Sequence, residues 1–395
     1  MKRKIVAYFI LFLLTFNLCR AQGSFEIYGH VMTDIGYNFG QMNPQWFDVL
    51  RPTQFASFED EYAPDGNVYF SVRQTRNGIR YNESTKLGGL KLWFEWELFG
   101  VGVDAGQTTF RLRHAYAELG KFGVGQTVSP FMDMDIFPNS IEYWGPNAMI
   151  FFRNIQFRYM PIQGDTKLTI ALERPGASAD GGLYAEAIAL EDVHFRFPVP
   201  DLSAEYRQST SFGYVELGTM LRYIKWDDNS DDLFDLSGSD IGWGLNLSSH
   251  IKTGEKGLFK FQLVYGEGIQ NYMNGGGVDI GVVNQFNNPR SPIRGEAMPV
   301  LGGLLFYDIT WNEKFTSTIG FATVDVDVTN GQAPSSFQAG DYALANLIYY
   351  PWKNVMAGVE LQYGKRENFS DGWETDIVKL QFSFKYQFSK VFETK

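Results

Sequence analysis

Four histidines, His30, His114, His194 and His250, are the candidates for metal binding or general-base chemistry. They are scattered. No two stand four residues apart with a Glu between them, so the helical two-histidine zinc arrangement is missing. A hydrolytic centre needs a nucleophile within reach of a base. Only Ser248-Ser249-His250 brings the two types together in sequence, next to a short turn. Gly275-Gly-Gly277 is not followed by the Lys-Ser/Thr of a phosphate loop and reads as flexible chain. Asp227-Asp-Asn-Ser-Asp-Asp232, with Asp235 and Asp240, offers carboxylates to Ca²⁺. Asp232 and Gly238, however, stand where an EF-hand loop requires Gly and Glu, and a solvated surface loop is the simpler reading. A net charge of -11, without a basic patch interleaved with aromatics, disfavours nucleic acid. We therefore expect no catalytic centre, no resident metal and no cofactor.

The remaining chemistry is charge. Arg73, Arg76, Arg111, Arg113, Arg158, Arg207 and Arg222 lie on strand-like segments, and Asp133, Asp135 and Glu142 lie with Tyr143 and Trp144 in one long segment between strands. Facing each other across a water-filled passage, such groups would set its ion preference, because like charges in a low-dielectric channel focus the field on a passing ion. Alternatively each arginine merely balances a neighbouring Glu or Asp in the wall.

The elements that would position these residues show a period of two. Val378, Leu380, Phe382, Phe384, Tyr386 and Phe388 alternate with Lys379, Gln381, Ser383, Lys385 and Gln387. Leu90, Leu92 and Phe94 alternate with Lys91, Trp93 and Glu95, and Phe259, Phe261 and Leu263 with Lys260, Gln262 and Val264. The pattern recurs along the chain. Two regions fit poorly: Arg111–Leu119, where Leu112 and Ala115 do not share a face, and Arg73–Tyr81, polar on both faces. Shielding by a neighbouring subunit would account for such strands, since polar groups on a lipid face are costly.

Connections alternate between short and long. The short ones are Ser84–Gly89, Gly120–Gly123, Pro161–Thr166, Gln208–Gly213, Thr253–Gly257, Trp311–Phe315 and Tyr350–Val355. The long ones are Gly40–Gly66, Gly100–Thr108, Ser129–Phe152, Arg174–Pro200, Asp227–Asp240, Gly268–Met298, Val326–Gly340 and Arg366–Gly372. Short turns on one side and long loops on the other predict an all-β transmembrane antiparallel β-barrel of about 16 strands, with both termini on the short-turn side. A barrel of that width leaves an aqueous lumen. The phase predicts a polar lumen of Lys, Glu, Gln, Ser, Asn, Arg and Gly, which favours passive diffusion of small polar solutes. The alternative is a non-conducting barrel that anchors long surface loops for a partner or polymer; it should turn bulky apolar residues inward. The loop Ser129–Phe152, with Phe131, Phe137, Tyr143 and Trp144, is too apolar to wave in water and is the candidate constriction folded into the lumen.

Residues 1–21 form a separate module. Lys2, Arg3 and Lys4 precede an apolar run from Ile5 to Phe16, and Cys19-Arg20-Ala21 fits cleavage after Ala21. Leu18 precedes Cys19 where a lipoprotein signal requires a small residue. Cleavage would leave a cysteine-free chain of residues 22–395, a single barrel domain. No later stretch is long and apolar enough for a helical span, so a membrane form must be a closed barrel whose backbone groups pair with one another. The 16% aromatic content and 41 glycines suit that reading. The expected location is the outer membrane of a Gram-negative-type bacterium, in contact with lipid and lipopolysaccharide.

Ser24-Phe-Glu-Ile-Tyr-Gly-His30, Asp34-Ile-Gly-Tyr-Asn-Phe-Gly40 and Trp46-Phe-Asp-Val-Leu-Arg-Pro52 resemble the opening of DcaP-like porins. Arg73-Gln-Thr-Arg76, Arg111-Leu-Arg-His-Ala-Tyr116, Gly125-Gln-Thr-Val-Ser-Pro-Phe-Met-Asp133 and Gly145-Pro-Asn147 extend the resemblance up to residue 160. It implies a homotrimer of barrels with an arginine-bearing lumen that favours anionic solutes such as dicarboxylates. Arg73, Arg76, Arg111 and Arg113 fall in matched motifs, Arg158 lies at their edge, and Arg207 and Arg222 lie outside them. The chain departs from some members in having no coiled-coil segment between Ala21 and Ser24. It also continues past Phe388, where the last strand is expected to end.

Overall fold

The computed structural model describes residues 23–394; the expected signal segment and its cleavage site lie outside them. Alternation of apolar and polar side chains drives the chain into strands, and each strand pairs with the next in antiparallel register. They are β1 (Gly23–Asn38), β2 (Asn67–Ser71), β3 (Arg76–Thr85), β4 (Gly88–Phe99), β5 (Thr108–Leu119), β6 (Phe122–Val128) and β7 (Arg153–Ile162). Then follow β8 (Thr166–Glu173), β9 (Val193–Phe195), β10 (Asp201–Thr210), β11 (Gly213–Asp228), β12 (Gly238–Thr253) and β13 (Gly257–Glu267). A hairpin of β14 (Ile280–Asn284) and β15 (Ile293–Ala297) stands apart from the wall. The wall resumes with β16 (Pro299–Asn312), β17 (Phe315–Val326), β18 (Phe337–Tyr349), β19 (Val355–Asn368) and β20 (Glu374–Thr394).

β2 and β3 lie end to end along β1, and β9 and β10 end to end along β11. The eighteen paired segments therefore make sixteen wall strands. β20 pairs with β1 from Gly23↔Thr394 to Asn38↔Lys379 and closes the barrel. Closure leaves no edge with unpaired N–H and C=O groups, the condition for residing in hydrocarbon. Phe382, Phe384 and Tyr386 are exposed outward, as are Leu92, Phe94, Leu301 and Leu305, while Gln381, Ser383 and Lys379 are buried inward.

Three details differ from the sequence reading. The last strand does not stop at Phe388 but runs to Thr394, because β1 begins at Gly23 and supplies partners that far. The lost phase of Arg111–Leu119 is a β-bulge: the β4–β5 register slips between Glu95 and Trp96, and Arg113 and His114 are both buried in succession. An extra residue on one strand changes the face presented by those after it. The polar stretch Arg73–Tyr81 opens on a strand break at 72–75, where Arg73 is buried rather than presented to lipid, and continues as the start of β3.

Candidate functional site

The loop 129–152 leaves β6, follows the inner wall and returns to β7. Its anchors explain the path. The Asp133 carboxylate accepts from Tyr214 and Ser248 hydroxyls at 2.6 Å each and from Arg207 at 2.8 Å, fixing the loop to β10, β11 and β12. Lys260 on β13 donates to the Phe137 carbonyl. Asn346 on β18 donates to the Asn139 carbonyl at 2.8 Å, and Glu360 on β19 accepts from Ser140 Oγ at 2.8 Å and Ile141 N at 3.0 Å. Gln381 on β20 donates to the Ile141 carbonyl at 2.9 Å. Further on, the Glu142 carboxylate accepts from Leu50 N at 3.1 Å and Gly145 N at 2.6 Å, and the Tyr143 hydroxyl donates to Glu97 on β4.

The wall accommodates the loop by omitting side chains. A Cβ on Gly218 would stand 2.9 Å from the Phe131 carbonyl oxygen, and one on Gly302 would stand 2.7 Å from Ala148 Cβ. Backbone passes where a larger residue would block it.

The inner face is not polar throughout, which corrects the expected lumen composition. Leu304, Phe306, Ala322, Tyr342 and Leu344 on β16, β17 and β18 form a buried apolar cluster with Ile136 and Met149 of the loop. Val300, Val324 and Val326 join Phe131, Ala148 and Ile150 in a second cluster. The reason is physical: a loop held against a wall through Ile and Met needs apolar wall beneath it, since burying those side chains against polar groups would forfeit transfer free energy. Bulky apolar residues facing inward therefore do not separate an anchoring barrel from a channel here.

The arginines sort by environment. Arg73 has a side chain only 1% exposed; it pairs with Asp48 at 2.7 Å, donates to the Gly100 carbonyl and lies 3.8 Å over the Phe99 ring. Arg222, also 1% exposed, pairs with Asp201 at 3.1 Å and Asp279 at 2.9 Å. It ties the wall to the outer loops through the Gly176 and Gly268 carbonyls. Arg113, 4% exposed, spans Glu95 and Glu97 at 2.7 Å each. Arg207 is held by Asp133, Asp135 and Glu216, in a group where carboxylates outnumber the cation. These four behave as wall and loop supports.

Arg76 and Arg111 differ. Both side chains are 27% exposed and share Glu97 with Arg113, at 3.1 and 3.7 Å. Arg111 also donates to the Tyr143 hydroxyl at 3.2 Å. Around Glu95 and Glu97 there are thus three guanidiniums for two carboxylates, and the surplus charge sits on the two exposed ones. Arg158, half-buried, donates to Gln156 and to the Val128 carbonyl and has no carboxylate partner among the described residues.

Sequence reasoning missed three cations. Arg153, at the root of the loop, has no ion pair among the described residues and lies 4.9 Å from the Phe151 ring. Arg366 on β19 donates to the Thr53 and Ser335 carbonyls. Arg51 lies between the indoles of Trp46 and Trp144, its Cζ 3.9 and 4.0 Å from their centroids. Desolvation pulls the Arg51 guanidinium down to about 9, helped by the Arg111 charge and opposed by Glu142. Burial pushes the Glu142 carboxyl up to about 7, against the pull of Lys379 and the Gly145 amide. The Trp46…Arg51 spacing within a matched motif was the available signal; the partner indole, Trp144, is distant in sequence.

The other chemical candidates disperse. Ser248 Oγ donates to Asp133 and Ser249 Oγ to the Tyr214 carbonyl, so neither hydroxyl addresses His250. His114 bonds Thr127 at 3.0 Å and stacks on Trp93. In the acid-rich loop, Asp228 and Asp232 cap their own turns and Asp240 accepts from Ala297 N; no carboxylates converge on a cation position among the described residues.

A family model described as DcaP outer membrane protein matches residues 17–388. The crystal structure of the outer membrane channel DcaP of Acinetobacter baumannii superposes with a TM-score of 0.76 at 20% identity, covering 93% of this chain and 97% of that one. An anion-selective porin from Comamonas acidovorans gives 0.60 at 12% identity, covering 93% and 100%. OmpT of Vibrio cholerae in a trimer form gives 0.56 at 12% identity, covering 93% and 99%. At these identities the likeness is one of fold. No curated relative matches the sequence.

Proposed function

The chain belongs to the DcaP outer membrane protein family of outer-membrane channels, and from that premise we propose that it passes small anions, dicarboxylates among them, by passive diffusion. The observation that carries the charge preference is the group around Glu95 and Glu97, where Arg76 and Arg111 keep exposed guanidinium surface after three arginines share two carboxylates. In a narrow passage walled by protein such surplus charge concentrates anions and repels cations. The loop 129–152 is the constriction of this reading: it carries Tyr143 to Arg111 and Glu97 and bears the exposed Asp135 and the half-buried Trp144, while Asp133 and Glu142 are buried in its anchoring. Arg158 extends the basic surface toward the short-turn side. The functional unit is a homotrimer seated in lipid and lipopolysaccharide, as in the trimer form of the Vibrio cholerae OmpT that shares the fold. Export by cleavage near Ala21 completes the reading.

The test is single-channel conductance with reversal potential under a salt gradient in a planar bilayer. Closure in three steps with an anion-selective reversal potential supports a trimeric anion channel. Cation selectivity overturns the arginine assignment and shifts it to Asp133, Asp135 and Glu142. A second reading, the anchoring barrel, draws on the apolar inner clusters and on a loop pinned around much of the wall. A folded, inserted barrel without conductance would favour it.

A further inference from the structure

On the long-loop side the structure holds a half-open cavity of about 430 Å³. Its apolar lining is Val278, Val328 and Phe337, half-buried, over Met273, Met298 and Val326 of the buried core. Its rim is polar and includes Arg51, Arg366, Gln332 and Ser336. The two guanidiniums are in different states. Every nitrogen of Arg366 is engaged, by the Asn368 side chain and by carbonyls of Thr53, Phe55 and Ser335, which take four of its five N–H groups, so it contributes mainly field. The Arg51 side chain has no hydrogen bond and no ion pair among the described residues, and its Nε is covered and unsatisfied. Its faces are occupied by Trp46 and Trp144, which leaves only its edges, the part of a guanidinium that grips a carboxylate.

In the same lining, Gly275 and Gly277 adopt φ of +72° and +77°. The amide N–H groups of residues 275 to 277 donate to no acceptor among the described residues. Successive free amides around left-handed glycines make an anion-binding concavity. Asp180, the one carboxylate in the lining, is turned to the Gly182 amide at 2.9 Å.

A guanidinium left without a partner is costly unless a ligand completes it, and a stacked one is already fixed in the geometry it needs. We propose that this cavity is an entry site that binds organic monoanions with an apolar body, an aromatic or short-chain carboxylate, the carboxylate on the edge of Arg51 and the body on Val278, Val328 and Phe337. Inorganic anions lack the body that would cover this apolar lining, and neutral analogues lack the charge that would satisfy Arg51. The site lies outside the Arg76–Arg111 group, so it adds a saturable step ahead of the passage. It deepens the channel reading without requiring its anion selectivity.

The experiment is calorimetric titration of the detergent-folded full-length barrel with benzoate, benzamide and sulfate. The expected result is saturable benzoate binding, with benzamide and sulfate at least about tenfold weaker. Arg51→Gln should weaken benzoate by at least about tenfold. Ser336→Phe, which fills the cavity without touching Arg51, should do the same, and it keeps the test alive should Arg51→Gln fail to fold. No heat with benzoate, sulfate binding as tightly as benzoate, or wild-type affinity in a folded Arg51→Gln or Ser336→Phe barrel overturns the proposal. An anion-selective channel that ignores benzoate sinks this site alone. A cation-selective channel that binds benzoate through Arg51 keeps the site and sinks the charge preference proposed above.

Discussion

Asp133→Ala should release the inward loop. The Asp133 carboxylate is buried and accepts from the Tyr214 hydroxyl at 2.6 Å, the Ser248 hydroxyl at 2.6 Å, Arg207 at 2.8 Å and the Asp135 amide at 2.9 Å. Breaking a buried ion pair outright costs about 3–5 kcal/mol. Arg207 keeps Asp135 and Glu216, so the charge is not stranded, and loss of one charge-assisted hydrogen bond at about 2 kcal/mol is the fitting figure for it. Two hydroxyls left without their acceptor add about 1 kcal/mol together after rotating to other partners. A total of about 3 kcal/mol raises the detached population of the loop about 100-fold. Met132, adjacent and 5% exposed, reports this when replaced by cysteine in a chain whose Cys19 has been removed. Its labelling by a water-soluble thiol reagent should be about 100-fold faster in Met132→Cys/Asp133→Ala than in Met132→Cys alone. Rates within about threefold of each other would refute the claim that Asp133 is a principal clamp of the loop, since that ratio is under about 1 kcal/mol.

Other outcomes follow from the same geometry. Arg76→Ser and Arg111→Ser should each move the reversal potential toward cation selectivity, whereas Arg222→Met should leave it unchanged and lower the temperature at which the folded barrel shifts in gel mobility, because Arg222 is spent on Asp201 and Asp279. The Glu142 carboxyl is raised to about 7 by burial, above its ordinary value of about 4.3. Its folded form holds the proton more tightly, so the loop is firmest at acid pH and loses that contribution as pH rises through about 7. Open-channel noise should accordingly grow between pH 5 and pH 8 in the wild type and stay flat in Glu142→Gln. Gly218→Val should push the loop off the wall, because its Cβ meets the Phe131 carbonyl at 2.9 Å, while Gly303→Val, whose nearest neighbour would be at 3.6 Å, should be tolerated; thiol labelling at Met132→Cys separates the two.

What could be read along the chain was whatever has a local cause. Alternation in Val378–Phe388 follows from a wall with lipid on one side, and the turns at Ser84–Gly89 and Thr253–Gly257 from the residues that tight reversals require. The loop 129–152 stood out through its aromatic content. Where two strands disagreed in period, the cause was also local, but its form was hidden: a bulge shifts one strand against a partner, and the register of β4 on β5 is a property of the pair. The arginines show the division most clearly. Seven arginines of the strand-like segments look alike in sequence, yet Arg73 and Arg222 end fully buried on carboxylates while Arg76 and Arg111 keep open surface. Their difference is set by which Asp or Glu the closed barrel brings beside each. For Arg222 those partners are Asp201 and Asp279, one on a neighbouring wall strand and the other on a distant outer loop. The apolar inner face on β16, β17 and β18 has the same origin: period two marks two faces, but only the path of loop 129–152 decides that part of the inner one is dry. Arg51 depends on it entirely, because its second indole, Trp144, is brought to it by that loop.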